Sequence, residues 1–123
     1  MAFGVLIVDD NPLFLEAAQG LLERDGLRVV GLAATVAQAL QQTAELRPDV
    51  VLVDLNLGDE SGFDIARRLA EHDRGGGPAV ILISTHAKDD FADLIAETRV
   101  AGFLSKGELS AHAIRRIVDG GEE

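Results

Sequence analysis

The sequence contains no cysteine, no tryptophan and no tyrosine, and these absences exclude several classes of protein. Without cysteine there is no disulfide framework, thiol nucleophile or cysteine-ligated zinc, and a reducing cytoplasm is the expected location. Five phenylalanines are the only aromatic rings, so the platforms on which nucleic-acid bases stack are lacking. No apolar run is long enough to span a membrane or resembles a signal peptide. We therefore expect a cytoplasmic protein with no membrane segment.

Basic residues are also scarce, since 11 Lys and Arg stand against 21 Asp and Glu and give a formal net charge of -10. This charge repels a phosphate backbone, so direct binding to DNA or RNA is not expected. A chain of 123 residues is long enough to bury a core without staples but too short for two domains. The prediction is a single domain over residues 1–123, with no output domain.

Short apolar runs recur along the chain and predict five strands. The stronger runs are residues 3–8, 50–53 and 79–83, and the weaker ones are residues 28–34 and 101–104. They are continuous in Val, Ile and Leu rather than alternating with polar residues, which is typical of strands covered on both faces. The runs therefore indicate a parallel sheet.

The segments between these runs have helical spacing and carry helix-start residues. Asp10 or Asn11 can cap the first helix, and Pro12 suits its first position. Further signals are three predicted caps and one helix end, namely Thr35 with Gln38, Ser61 with Asp64, Ser110, and Pro48. The apolar face of the first helix is predicted to comprise Leu13, Leu15, Ala18, Leu21 and Leu22. Strict alternation of strand and helix predicts an α/β fold, a doubly wound sheet with helices on both faces.

Polar side chains follow four of the predicted strands at the points where they end. Asp9 and Asp10 follow the first strand, Asp54 the third, Ser84 the fourth and Lys106 the fifth. Ligands of open parallel sheets bind beyond the carboxyl ends of the strands. We therefore expect these five side chains to face one crevice.

Three carboxylates in such a crevice repel each other unless a cation accompanies them. A hard, oxygen-binding divalent ion relieves the repulsion, and Mg²⁺ is the usual cytoplasmic choice, with Mn²⁺ as a substitute. Taken alone, the pair Asp9 and Asp10 has a structural alternative, because acidic residues at a helix start act as caps and suit the helix dipole. Convergence with Asp54 and Lys106 favours the metal site.

In this order and spacing the motifs resemble the response-regulator receiver domain of two-component signalling. They are the aspartate pair after the first strand, Asp54 in LVDLNLGDESG, Ser84 in ILISTH, and Phe103 with Lys106 in AGFLSK. The resemblance spans the chain and implies a flavodoxin-like (βα)5 three-layer sandwich with strand order 2-1-3-4-5. It is greatest for receivers of LuxR-type (NarL/FixJ-like) regulators.

The resemblance implies a role for each matching residue at the phosphorylation site. Asp54 would accept a phosphoryl group from a sensor histidine kinase or phosphotransfer protein, giving an aspartyl phosphate. Lys106 would pair with Asp54 and then with a phosphoryl oxygen. Ser84 would donate a hydrogen bond to another phosphoryl oxygen.

The implied metal site and signalling surface involve further residues. Asp10 would bind Mg²⁺ directly, Asp9 through water, and Asn56 through its backbone carbonyl, with Asp54 completing the set. Ser84 and Phe103 would be the switch residues, which change the surface of the fourth helix, fifth strand and fifth helix. A homodimer or a downstream protein partner would read that surface.

Three positions around the site depart from the family's pattern, and one of them, Thr85, stands where alanine or glycine is common. Gly58 stands where many receivers have a proline. Gly107 stands where many receivers have a proline directly after the lysine of the site, so Lys106 is expected to be held differently here. Thr85 and His86, with Gly58, are predicted to form the rim of the site.

Three other functions fit parts of the pattern. A receiver-like module can signal through protein contact without phosphorylation. An aspartate-based phosphatase would share the chemistry of Asp54, but the DLN sequence lacks the second acid two positions on. A mononucleotide-binding protein of this fold needs a phosphate loop rich in glycine and hydroxyl groups after the first strand, where this chain has DDNPL.

Overall fold

The protein forms one parallel sheet of five strands in the parts of the chain that the computed structural model describes, residues 4–57, 60–72, 78–85 and 100–120. The strands are β1 (Gly4–Val8), β2 (Arg28–Ala33), β3 (Val50–Asp54), β4 (Ala79–Ser84) and β5 (Gly102–Ser105). Their order is β2-β1-β3-β4-β5 and every neighbouring pair is parallel. The predicted strands and the predicted order 2-1-3-4-5 are confirmed.

Helices cover both faces of this sheet. They are α1 (Pro12–Arg24), α2 (Val36–Leu46), α3 (Gly62–His72) and a C-terminal helix (Ala111–Gly120). One core cluster joins the sheet to α2 and α3, and a second joins the opposite face to α1 and the C-terminal helix. This is the predicted three-layer arrangement. The fourth predicted helix falls in residues 86–99, outside the described residues.

Asn11 and Pro12 set the start of α1, which directly follows the end of β1. The Asn11 side-chain oxygen accepts hydrogen bonds from the amides of Leu13, at 3.0 Å, and Phe14, at 3.4 Å. Pro12 occupies the first turn, where its missing N–H has no cost. Of the two predicted caps, Asn11 is therefore the one that acts.

The other helix signals are confirmed in modified form. Thr35 caps α2 by accepting from the Gln38 amide at 3.1 Å, while the Gln38 side chain accepts from the Ala34 amide instead of closing a box with Thr35. Helix α2 ends at Leu46, because Arg47 turns left-handed (φ 48°) ahead of the proline. The remaining two caps also act through their hydroxyl oxygens. That of Ser61 accepts from the Phe63 amide at 3.2 Å, and that of Ser110 accepts from the Ala113 amide at 3.0 Å.

Two local features differ from the sequence prediction. Leu13, assigned to the apolar face of α1, is 76% exposed, and Phe14 packs against the core in its place. At about 100° per residue, Leu13 lies on the opposite side of the helix from the buried Leu15 and Leu22, so the helical period itself directs it toward solvent. A two-stranded antiparallel ribbon, Asn56–Leu57 with Glu60–Ser61, was not predicted, because strands of two residues carry no periodic signal.

Candidate functional site

The buried polar side chains among the described residues lie at the carboxyl edge of the sheet. Asp9 and Ser84 are fully buried and Asp54 is 6% exposed. Asp54 and Ser84 end adjacent strands, and the register pairs Ser84 with Ser105, the residue before Lys106. The structure therefore brings the predicted strand-end residues to one edge, as parallel strands require.

Lys106 connects two of the acids. Its Nζ lies 2.6 Å from Oδ2 of Asp9 and 3.3 Å from Oδ2 of Asp54, to which it donates a hydrogen bond. The lysine side chain is only 16% exposed. Burial pulls the pKa of Lys106 down, but the carboxylates of Asp9 and Asp54 outweigh it and raise this pKa above its ordinary value. The ammonium is therefore charged, and it pairs more closely with Asp9 than with the predicted partner Asp54.

The two neighbouring aspartates occupy different environments. The backbone N–H of Asp9 donates to the Ala33 carbonyl oxygen at 2.9 Å, and its Oδ1 accepts from the Asn11 amide at 2.8 Å. Asp9 is thus fixed inside the pocket, with its second oxygen facing Lys106. Asp10 is exposed. The pair therefore supplies one buried, anchored carboxylate and one that faces solvent.

The backbone that follows Asp54 is held by two hydrogen bonds of Leu55. The Leu55 amide donates to the Ile83 carbonyl at 3.1 Å, and the Gly62 amide donates to the Leu55 carbonyl at 3.0 Å. Gly62 packs so tightly that a Cβ there would collide with the carbonyl oxygen of Asp54 and with Val53. Glycine at this position lets the chain approach and fixes where the Asp54 carboxylate begins.

The three carboxylates form a set able to hold a cation. One oxygen from each of Asp9, Asp10 and Asp54 lies within 4.8 Å of the others. Oxygens on opposite sides of one Mg²⁺ are roughly 4.2 Å apart, since each lies about 2.1 Å from the ion. The set thus fits one ion held partly through its water molecules, and the oxygen-only donors suit a hard divalent cation.

Phe14 is a member of the site that the sequence reasoning missed. The Lys106 Nζ lies over the Phe14 ring, 4.3 Å from its centroid, within the range of a cation–π contact. In sequence Phe14 looks like one more apolar helix residue. The available signal was its position, three residues after the cap of the helix that follows the aspartate pair.

The remaining predicted residues are placed as follows. Phe103 is half-buried and packs against the cluster beneath α2 and α3. Thr85 is exposed directly after β4. Asn56 lies in the short ribbon, where its backbone is described and its side chain is not. Gly58 and His86 lie outside the described residues.

The fold and site together define a doubly wound α/β domain with an acidic pocket that a largely buried lysine, Lys106, enters. Residues 5–118 match the model of the response regulator receiver domain family. The chain belongs to this family of two-component signalling proteins. No helix in the described ranges is both long and apolar enough to cross a bilayer.

Individual relatives agree with this assignment. Response regulator GacA of Pseudomonas viridiflava is 31% identical over 114 residues, covering 92% of this chain and 52% of the relative. A LuxR-family two-component response regulator from Aurantimonas sp. SI85-9A1 has a TM-score of 0.86 at 29% identity, over 98% of this chain and 87% of that one. The receiver domain of a response regulator described as NarL, from Mycobacterium tuberculosis, has a TM-score of 0.83 at 28% identity. The match covers 98% of this chain and 97% of that one. This chain spans about half the length of the GacA relative.

Proposed function

We propose that this chain is a phosphoacceptor switch in which Asp54 receives a phosphoryl group. The observation that carries the proposal is the buried Asp54 carboxylate, hydrogen-bonded by Lys106 at 3.3 Å and grouped with Asp9 and Asp10. Three acids in one pocket are costly for stability alone, and their grouping is explained by a cation and a phosphate.

The chemistry assigned to Asp54 is nucleophilic transfer. A carboxylate oxygen forms a bond to phosphorus while the P–N bond of a kinase phosphohistidine breaks, or the P–O bond of a small acyl phosphate. The leaving group is the imidazole or the carboxylate, and the product is an aspartyl phosphate. Attack of water on phosphorus later releases inorganic phosphate and restores Asp54. The domain thus catalyses its own modification and its loss, and turns over no metabolite.

Asp10, Asp9, Asp54 and the backbone carbonyl of Asn56 are the proposed holders of Mg²⁺, with Mn²⁺ as a substitute. The exposed Asp10 is assigned the direct contact, and the anchored Asp9, already paired with Lys106, a contact through water. When bound at these residues, the ion would supply positive charge to offset the negative charge that builds up during transfer. The carboxylates themselves are held at one edge of the sheet by the ends of the strands.

Lys106 and Ser84 are proposed to recognise the transferred group. The Lys106 ammonium contacts Asp9 and Asp54 at once, so it can pair with a phosphoryl oxygen on Asp54 and keep Asp9 as its second partner. Ser84, buried at the end of the adjacent strand, is assigned a hydrogen bond from its hydroxyl to another phosphoryl oxygen.

The signal is proposed to leave the site through Ser84 and Phe103. Phosphorylation would draw Ser84 toward the new oxygens, and the half-buried Phe103 would turn inward and change the surface around β5. Thr85, His86 and Gly58 are assigned to the rim of the site. The reader of this surface would be a second copy of the chain, an output domain or another protein.

The cellular setting proposed for the chain follows from its family. A sensor histidine kinase or phosphotransfer protein in the cytoplasm would be the phosphoryl donor. Residues 1–123 would act as a single receiver domain, and with a net charge of -10 the domain would not bind DNA itself.

The proposal is tested by incubating the protein with Mg²⁺ and a small acyl phosphate, followed by intact-mass measurement. The parent should gain one alkali-labile phosphoryl group, and Asp54→Asn should gain none. Asp119→Asn, which changes an exposed aspartate of the C-terminal helix, is the matched control and should behave as the parent. Omitting Mg²⁺ should suppress the adduct.

Two results would overturn this function. One is an adduct that persists in Asp54→Asn, which would place the acceptor elsewhere. The other is a folded parent that binds Mg²⁺ yet gains no phosphoryl group from either an acyl phosphate or a phosphohistidine protein, as an interaction module without phosphorylation would.

A further inference from the structure

The contact between Phe14 and Lys106 joins two elements that the proposed chemistry otherwise leaves separate. The Lys106 Nζ lies 4.3 Å from the centre of the Phe14 ring, while its other contacts are the carboxylates of Asp9 and Asp54. The Phe14 amide is bonded to the Asn11 side chain, so the ring is carried by the capped first turn of α1. The ring therefore stands on a fixed base beside the ammonium.

The backbone around Lys106 is less buried than that of the central strands, although β5 pairs with β4 along its length. All four residues of β5 are only partly buried, and Lys106 opens a 3-10 turn that ends at Glu108. Gly107 has open space where a side chain would be, and the turn is closed by a Leu109-to-Lys106 bond of 3.4 Å. The position of the Lys106 ammonium consequently depends on the contacts that the ammonium itself makes.

We propose that Phe14 is a positioning residue for phosphoryl transfer, whose ring face keeps the Lys106 ammonium in the pocket. This role rests on the proposed function. The carboxylates that hold the ammonium would be shared with a metal ion and a phosphoryl group during the reaction, whereas the ring binds neither. The attraction to the ring thus persists when the ion pairs are redistributed, and Phe14 forms no bond to the reacting atoms.

The ring face, and not only its bulk, is what the contact needs. Phe14 also packs against the apolar cluster beneath α1, a role that leucine could fill. A leucine has no quadrupole, so it would keep the packing and lose the attraction for a cation. The lysine is largely withdrawn from water, which strengthens this attraction relative to an exposed site.

The kinetic test measures the rate constant of Asp54 modification by a small acyl phosphate at saturating Mg²⁺. Phe14→Leu should be slower by about three- to tenfold, in line with a partly desolvated cation–π contact. A series of fluorinated phenylalanines at position 14, which weakens the negative ring face stepwise while keeping its shape, should lower the rate stepwise. This series also covers the case in which Phe14→Leu fails to fold.

A second measurement reports the contact independently of activity. The chain has only two lysines, Lys88 and Lys106, so isotope-labelled lysine gives two sets of side-chain NMR signals, assigned with Lys88→Arg. The ε-methylene signals of Lys106 should be shifted by the ring current of Phe14, and the shift should vanish in Phe14→Leu. Those of Lys88 should not move.

The outcomes separate this proposal from the function on which it rests. Parent-like rates throughout the fluorinated series, in a protein whose Asp54 is modified normally, would overturn the role of Phe14 alone. A slower rate in Phe14→Leu with no graded effect of fluorination would mean that Phe14 acts only through packing. That result would also overturn the positioning role of its ring face. A parent that forms no Asp54 adduct would overturn both, whatever the lysine signals show.

Discussion

The central strands β1 and β3 and the edge strand β5 contribute to the pocket in different ways. All five residues of β1 and of β3 are buried, and these strands lead into Asp9 and end in Asp54. The edge strand β5 is only partly buried along its length and leads into Lys106. The anionic side of the pocket is therefore built on fully buried strands, and the cationic side follows an edge strand that is only partly buried.

This difference indicates how the site divides its tasks. In the proposed function, the carboxylates must stay where a metal ion and a phosphoryl group would bind, and a buried backbone gives that precision. In the same proposal the Lys106 ammonium would exchange one carboxylate for a phosphoryl oxygen, and its place after an edge strand, in a short turn, is consistent with that role. Four experiments test this division between the anionic and cationic sides of the pocket.

The largest effect is expected from removing the cation in Lys106→Met. Asp9 is fully buried and would lose its ion-pair partner, so the metal-free protein should lose about 2 to 3 kcal/mol of unfolding free energy. Urea denaturation measures this, with Lys88→Met as the control. Adding Asp9→Asn to the variant should recover part of the loss, because a neutral amide needs no cation. Equal stability of Lys106→Met and the parent would contradict the comparison.

Ser84→Ala tests whether phosphorylation of Asp54 changes the conformation of the edge strand β5 through this serine. A hydrogen bond to a charged group is worth about 1.5 to 3 kcal/mol, which is enough to reverse a conformer balance of a few per cent. The variant should still form the Asp54 adduct but lose the phosphorylation-dependent NMR shifts of β5 amides. Thr85→Ala, at the exposed neighbouring position, should keep them. A full response in Ser84→Ala would exclude the serine as the link.

Asp10→Asn changes the exposed member of the acidic set and should have effects of opposite sign on stability and metal binding. Removing one of three like charges should stabilise the metal-free protein by up to about 1 kcal/mol. Affinity for Mg²⁺ should fall by about tenfold or more. Calorimetric titration with Mg²⁺ and urea denaturation measure the two. Unchanged Mg²⁺ affinity would remove Asp10 from the metal site.

The smallest effect is expected at alkaline pH. The pKa of Lys106 is raised in the folded protein, so its stabilising contribution is complete below the ordinary lysine value of about 10.4 and is lost as pH rises through the folded value. The chain has no tyrosine or cysteine to titrate in this range. Unfolding free energy measured across this range should therefore decline in the parent and in Lys88→Met, and less so in Lys106→Met. Parallel curves for all three would contradict the ion pairing.

The convergence of Asp9, Asp10, Asp54 and Lys106 could be predicted from sequence because it depends on two robust features. Continuous apolar runs mark buried parallel strands, and parallel strands present their carboxyl ends at one edge. Knowing which residue follows each strand is then enough to name the pocket.

The finer arrangement could not be predicted, because it depends on rotamers and on contacts distant in sequence. Nothing in the aspartate pair says that Asp9 is anchored by the Asn11 amide while Asp10 faces water. The sequence likewise gives no measure of which acid Lys106 approaches more closely, or that the Phe14 ring lies beside it. These contacts arise only when α1 and β5 are packed on the same sheet.

The tight approach of Gly62 to the Asp54 carbonyl has a consequence for genetics. Position 62 carries no functional group, yet it should tolerate substitution as poorly as the acids do, because even one added methyl group would displace the main chain of Asp54. Screens for loss-of-function variants should therefore recover substitutions at position 62 alongside those at the charged positions. Such variants would be inactive although every ionisable group of the pocket is still present.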